Sequence, residues 1–231
     1  MVIGPSYIFM QVPRTSSSSI TWNLCDKYEG HQVNIHGTFA DTGHDEDRED
    51  RFVFGFTRNP YEREFSEWRY HASKKHDVFH PITFEQWVLW RYSDLTLPEE
   101  WFRPKAYHYL QSFSRYPQLG WFMDEQGDII TDYIGCYEDR QVHLDHIYSH
   151  LGFPDQTGRL LEASHGPVTT DTYQDHYTNE MTDIITDRYL PDLLAFGYGF
   201  EQRETIYMQP EPHLVSEKDF RLLENTQYLN K

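Results

Sequence analysis

The chain has 231 residues, enough for one sizeable α/β domain and short for two. Its formal charge of -17 repels polyanions at long range and so excludes a broad nucleic-acid or anionic-membrane surface, while leaving room for a small anion in a locally basic cleft. Apolar content of 38% is low, but 16% aromatic residues supply the buried area that disordered chains lack.

Residues 7–12, Tyr-Ile-Phe-Met-Gln-Val, read as a short buried strand, and Ile20, Leu24 and Tyr28 recur at helical spacing. Between them Pro13 is followed by one guanidinium, Arg14, and by five hydroxyls, Thr15, Ser16, Ser17, Ser18 and Ser19. The first N–H groups of a helix have no internal partner and sit at the positive end of its dipole, so such a turn binds phosphate or sulfate. The bland alternative is a flexible linker or a simple helix cap, although a linker is not normally pinned between a strand and an amphipathic helix. The turn has no glycine and no Gly-Lys-Ser/Thr, which argues against an ordinary ATPase, GTPase or P-loop kinase.

Residues 32–37 read as a strand ending in Gly37, lying beside the first strand in a parallel sheet and setting His36 at its end as a candidate base. The acidic run at 45–50 reads as a solvated loop. Residues 52–56 form the next strand, and Asn59-Pro60 turns into a helix. Arg58 then emerges at the strand end with Ser66 two turns into the helix, a pair able to grip one phosphate.

A helix is expected over 84–92 with Thr83 as its cap. Lys74-Lys75-His76 is a basic island, read as a solvated loop or as a contact for an anionic acceptor, and Trp87, Trp90, Trp101, Tyr107 and Tyr109 read as packing. Residues 129–137 form a strand, and Glu138-Asp139 opens a helix through Leu151 that Gly152-Phe153-Pro154 stops. The loop at 164–177 holds His165 and His176, rival base or phosphate-contact candidates, and Thr178 caps a helix to Leu190. A domain of residues 1–200 is followed by a tail, 201–231, that packs back on it or mediates a homo-oligomer. Cys25 and Cys136 read as buried thiols rather than a disulfide framework. The histidines show no metal-ligand spacing, so no metal is expected. No apolar run or signal segment is seen, so the reading is a soluble, cytoplasmic protein with no membrane and no nucleic-acid partner.

Two of these stretches carry a resemblance. Val12-Pro13-Arg14-Thr15-Ser16-Ser17-Ser18-Ser19-Ile20 resembles the 5′-phosphosulfate loop of sulfotransferases that use 3′-phosphoadenosine 5′-phosphosulfate (PAPS), in particular the carbohydrate or Golgi-type branch, with Arg14 where that family has lysine. Phe56-Thr57-Arg58-Asn59-Pro60-Tyr61-Glu62-Arg63, with Ser66, resembles the family's 3′-phosphate motif. Residues 34–38 resemble the His-x-Ser/Thr region where some branches place their base. The segment at 103–110 resembles a family stretch in which Lys105 replaces a glutamine, and residues 132–138 resemble another in which Cys136 replaces a frequent arginine. Residues 177–180 and 196–200 resemble the close of the family domain.

The resemblance implies a P-loop-like, three-layer α/β domain with a central parallel sheet flanked by helices. It implies sulfuryl transfer from PAPS to an acceptor hydroxyl, carbohydrate or small metabolite, with PAP (adenosine 3′,5′-bisphosphate) as product. Arg14 and residues Thr15 to Ser19 would hold the 5′-phosphosulfate, Arg58 and Ser66 the 3′-phosphate, and His36 would take the acceptor proton. A non-catalytic PAP- or nucleotide-binding module is the alternative, favoured by Arg14 and Cys136 at family lysine and arginine positions, and a P-loop kinase is a third reading that the missing Walker glycines and lysine oppose.

Overall fold

A computed structural model of the chain describes residues 1–39, 48, 50–73, 78, 80–103, 110, 115–124, 127–154 and 172–201. Most of the acidic run, the basic island at 74–76, Lys105 with Tyr107 and Tyr109, His165 and the tail from 202 lie outside the described residues.

The apolar alternation of the strands decides how the layers form. Strands β1 (Val2–Ile3), β2 (Tyr7–Met10), β3 (His31–Gln32), β4 (Phe52–Thr57) and β5 (Tyr133–Cys136) make one five-stranded sheet in the order β3-β1-β2-β4-β5. Tyr7 and Phe9 of β2, Phe54 and Phe56 of β4, and Tyr133 of β5 share one face. They bury against Ile20 and Leu24 of α1 (Ser17–Lys27) and Leu144 and Ile147 of α4 (Arg140–His150). The alternate residues Ile8, Met10, Val53 and Ile134 face Trp121, Phe122 and Phe196, the last from α6 (Leu190–Phe196). Gly55 lies on that second face because a Cβ there would come within 2.6 Å of the Phe122 ring. Helices thus cover both faces of a mixed sheet, and the described residues form an α/β unit with six α-helices.

The expected parallel arrangement holds for β2, β4 and β5, but β1, an unforeseen strand, runs antiparallel to both β2 and β3. The expected strand at 32–37 is confined to His31–Gln32 and pairs with β1 rather than beside β2. Its remainder turns, because His36 adopts a left-handed φ of 60° that a strand cannot accommodate. Cys25 is exposed, against its reading as a buried thiol, since it falls on the solvent side of α1; Cys136 is buried.

A second core lies beside the sheet, where α2 (Pro60–Trp68), α3 (Phe84–Tyr92) and α5 (Asn179–Arg188) pack Phe65, Trp87, Val88, Met181 and Ile185 together. All three helices carry N-caps legible in the sequence: Asn59 accepts from Tyr61 N, Thr83 forms a capping box with Gln86, and Thr178 accepts from Met181 N. At the centre sits Glu64, 2% exposed. Its Oε1 accepts from Trp87 Nε1 at 2.6 Å and Arg91 Nη1 at 2.8 Å, and its Oε2 from Tyr92 OH at 2.7 Å. Removing one partner of such a pair strands a buried charge. Glu64→Ala is therefore expected to cost about 3–5 kcal/mol in urea unfolding; a loss below ~1 kcal/mol would show that this network does not hold the helices together.

Candidate functional site

The turn between β2 and α1 is built from two left-handed residues that are not glycine, Arg14 with φ 67° and Ser16 with φ 65°, either side of Thr15. Such conformations cost on the order of 1–3 kcal/mol each and persist only where surroundings impose them. Left-handed residues of this kind are the conformation by which successive backbone N–H groups can be turned toward an anion. The first intrahelical bond of α1 runs from Ile20 N to Ser16 O at 3.2 Å, so the N–H groups of Ser17, Ser18 and Ser19 have no intrahelical acceptor.

Arg58 imposes the turn. Its Nη1 donates to the carbonyl oxygen of Arg14 at 2.9 Å, its Nη2 to Glu62 Oε1 at 2.8 Å, and its guanidinium lies 3.9 Å over the Tyr137 ring. The side chain leaves β4 into a buried position, 8% exposed, with Nε lacking a hydrogen-bond partner among the described residues. Its backbone is clamped as well: Arg58 N donates to Gln118 Oε1, Gln118 Nε2 donates to Arg58 O, and the buried Asp192 carboxylate holds Gln118. Arg14 turns the other way. Its Nε and Nη2 donate to Ser66 Oγ at 3.3 and 3.1 Å, Nε lies 3.6 Å from Glu67 Oε2, and the guanidinium stacks 4.4 Å over Tyr70. Arg58 and Ser66 thus belong to one cluster, but Ser66 serves Arg14 while Arg58 serves Glu62 and the turn carbonyl.

The hydroxyls divide. Thr15 is buried and donates inward to Val12 O at 2.9 Å; Ser17 is buried, Ser19 half-buried and Ser18 exposed. Ser16 makes no capping bond to its own helix, and its Oγ accepts from Arg140 Nη1 at 3.1 Å. His36 lies against the opposite side of the turn, with Nδ1 2.7 Å from Gln11 O. A carbonyl only accepts, so Nδ1 carries the hydrogen and Nε2 is the basic nitrogen of the neutral ring. His176, the rival base, stacks on Phe65 with ring centroids 4.6 Å apart.

Sequence reasoning passed over three members of this cluster. Glu67 is 3% exposed, with His71 Nε2 3.5 Å from its Oε1 and Arg14 Nε 3.6 Å from its Oε2. Burial pushes its acidity one way, but His71, Arg14 and Arg91 outweigh it and hold the carboxyl at about 2. Tyr137 and Arg140 complete the set, and their position just after a strand predicted to end at the same sheet edge was the available signal. A shallow recess is lined by Pro13, Arg14, Arg63, Glu64 and Glu67. Among the described residues no group of three or more His, Cys, Asp or Glu side chains is placed to hold a metal, and no helix is long and apolar enough to cross a membrane. In comparisons with known proteins, no family model, curated sequence or solved structure matches the chain.

Burial lowers the His36 pKa from 6.5, outweighing the Gln11 carbonyl and Glu67, which raise it. The folded chain therefore takes up this proton less readily than the unfolded chain. Stability from neutral His36 is complete above 6.5 and is lost as pH falls below it. The imidazole is expected to titrate by NMR with a midpoint under 6.5, and His36→Gln to reduce the acid-side loss of stability in that window; a midpoint at or above 6.5 would contradict the buried, neutral assignment.

Proposed function

We propose that the chain is a PAPS-dependent sulfotransferase, transferring a sulfuryl group to a hydroxyl of a carbohydrate or small metabolite. One observation carries the reading: the two stretches that resemble the 5′-phosphosulfate and 3′-phosphate motifs meet in space. Arg14 reaches Ser66 across 52 residues, and Arg58 reaches Arg14 across 44. A P-loop-like strand, turn and helix supports the same reading, since the left-handed pair Arg14 and Ser16 does without glycine what a glycine-rich loop does with it.

The residues fit a doubly anionic nucleotide. The first N–H groups of α1 have no intrahelical acceptor, and Arg58 keeps a buried Nε–H without an acceptor among the described residues. When bound, PAPS supplies an activated sulfuryl group with PAP as its leaving group. Arg14 and the turn N–H groups stabilise charge on the 5′ side, and Arg58 with Ser66 holds the 3′-phosphate. His36 takes the acceptor proton on Nε2 as the acceptor oxygen bonds to sulfur and the bond from sulfur to the 5′-phosphate oxygen breaks. Arg14 does not donate a proton, because a guanidinium stays charged. Burial lowers the His36 pKa and leaves it neutral, as a base must be.

A second reading is a non-catalytic PAP-binding module. The engagement of Arg14 by Ser66 and Glu67 favours it, because that arginine is already held away from a transferring group.

The deciding measurement is calorimetric titration with PAP, with adenosine 5′-phosphate and ATP as controls. Binding that requires the 3′-phosphate supports the reading, and no PAP binding would sink it. Arg58→Ala should weaken PAP by roughly tenfold or more, the worth of a charge-assisted hydrogen bond. His36→Ala should lower turnover about a hundred- to ten-thousandfold with PAP affinity nearly intact. Tight PAP binding without turnover on a broad panel of sugar and small-alcohol acceptors would favour the module.

A further inference from the structure

Three guanidinium groups surround the turn at residues 13–16, and they are not equivalent. Arg14 is ion-paired with Glu67 and Arg58 with Glu62. Arg140, at the first position of α4, makes no ion pair among the described residues, in a chain where 37 acidic residues outnumber 20 basic ones. Its acidic neighbours in sequence are committed elsewhere. Glu138 accepts from Asn59 N at 2.7 Å and Tyr198 OH at 3.0 Å, and Asp139 Oδ2 lies 3.8 Å from Cys136 Sγ.

What Arg140 touches is the turn itself. Nη1 donates to Ser16 Oγ at 3.1 Å, and the guanidinium lies 4.9 Å over the Tyr137 ring, whose ring also carries Arg58. A hydroxyl that accepts one hydrogen bond still has its own hydrogen to give. Ser16 Oγ accepts from no N–H of α1, since it makes no capping bond. Arg58, whose Nη1 holds the same turn through the Arg14 carbonyl, is only 8% exposed and its Nε–H lacks an acceptor among the described residues.

We propose that Arg140 is a direct ligand of the anion held at the start of α1, binding its 5′ side together with the Ser16 hydroxyl. The proposal rests on the reading of this turn as a phosphosulfate cradle and adds to it a residue that neither resembling motif contains. Arg140 is the guanidinium of the three that no carboxylate among the described residues pairs with, whereas Arg14 and Arg58 are ion-paired and also shape the turn. Tyr137 keeps Arg140 facing the turn by offering its ring face to the cation, at a cost in side-chain freedom that a bound anion then does not have to meet.

The test titrates the full chain and its Arg140→Gln, Arg140→Lys and Ser16→Ala variants with PAP at low and high salt, with thermal unfolding of each in parallel. Arg140→Gln should bind PAP roughly ten- to a hundredfold more weakly and with a shallower salt dependence, while melting close to the parent. Arg140→Lys, which keeps the charge and loses the fork, should recover part of the affinity. Adding Ser16→Ala to Arg140→Gln should weaken binding by less than Ser16→Ala does alone, because the two act as a unit. If the parent binds PAP and Arg140→Gln binds it equally tightly with the same salt dependence, the Arg140 assignment falls and the cradle stands. If the parent does not bind PAP, the cradle falls and the assignment with it. Should Arg140→Gln fail to fold, Ser16→Ala decides, and full PAP affinity in that variant overturns the proposal.

Discussion

The hydrogen bond from Arg58 Nη1 to the carbonyl oxygen of Arg14 is the constraint on which the site depends. Two left-handed residues in one turn, Arg14 and Ser16, are costly without glycine, and within the turn only the Thr15 hydroxyl is seen to brace them, by donating to Val12 O. Arg58 supplies the hold from another strand, and it can do so only because its own burial is met. Glu62 balances its charge, Tyr137 covers its face, and the Gln118 and Asp192 clamp fixes its backbone. Shape in the turn is therefore set by charge in the neighbouring motif. Loss of any member of that chain reaches the N–H groups at the start of α1 without touching them.

Helix α2 transmits the same logic to the other side. It carries Glu62, Glu64, Ser66 and Glu67 within two turns, Glu62 meeting Arg58, Glu64 meeting Arg91, and Ser66 and Glu67 both meeting Arg14. Glu64 locks the helix to Arg91 and Trp87 in the aromatic core, which fixes its rotation. Ser66 and Glu67 then meet Arg14 at a defined height. The buried ion pair at Glu64 is weak evidence for added stability, since well-packed apolar residues often do as well. Its value lies in orientation, because a helix held by a directional network presents Ser66 to the turn in one way only.

The parts of the fold legible in the sequence were those with a local cause. The apolar runs read at 7–12 and 52–56 became β2 (Tyr7–Met10) and β4 (Phe52–Thr57), and the caps at Asn59, Thr83 and Thr178 started helices where their side chains satisfy orphan N–H groups. The misreadings came from long-range pairing. Strand β1 is two residues long and gives no periodic signal, yet by entering between β2 and β3 it makes the sheet mixed and takes β3 away from the parallel core. The alternation at 32–37 looked like a strand, but His36 spends its backbone on a left-handed turn that lets Nδ1 reach Gln11. At the site, the residue types at 14–19 pointed to anion binding, while the partners did not show. That Ser66 meets Arg14 rather than Arg58, and that Arg140 arrives from a helix 124 residues past Ser16, are facts of tertiary packing with no trace in spacing.

The acidic character of the chain bears on what such a site can recognise. A formal charge of -17 sets up a repulsive field for any anion, but at physiological ionic strength exposed charges are largely screened beyond about 8 Å. Contacts inside the turn are shorter than that and are partly shielded from solvent, so they keep their strength. The two scales act on different ligands. A polyanion must lie across the surface and meets the repulsion along its whole length, whereas a compact anion meets it only during approach. A net negative charge would thus discriminate by ligand extent, disfavouring extended polyanions more than a compact anion such as the proposed nucleotide. Its cost falls on the rate of approach more than on the affinity once bound.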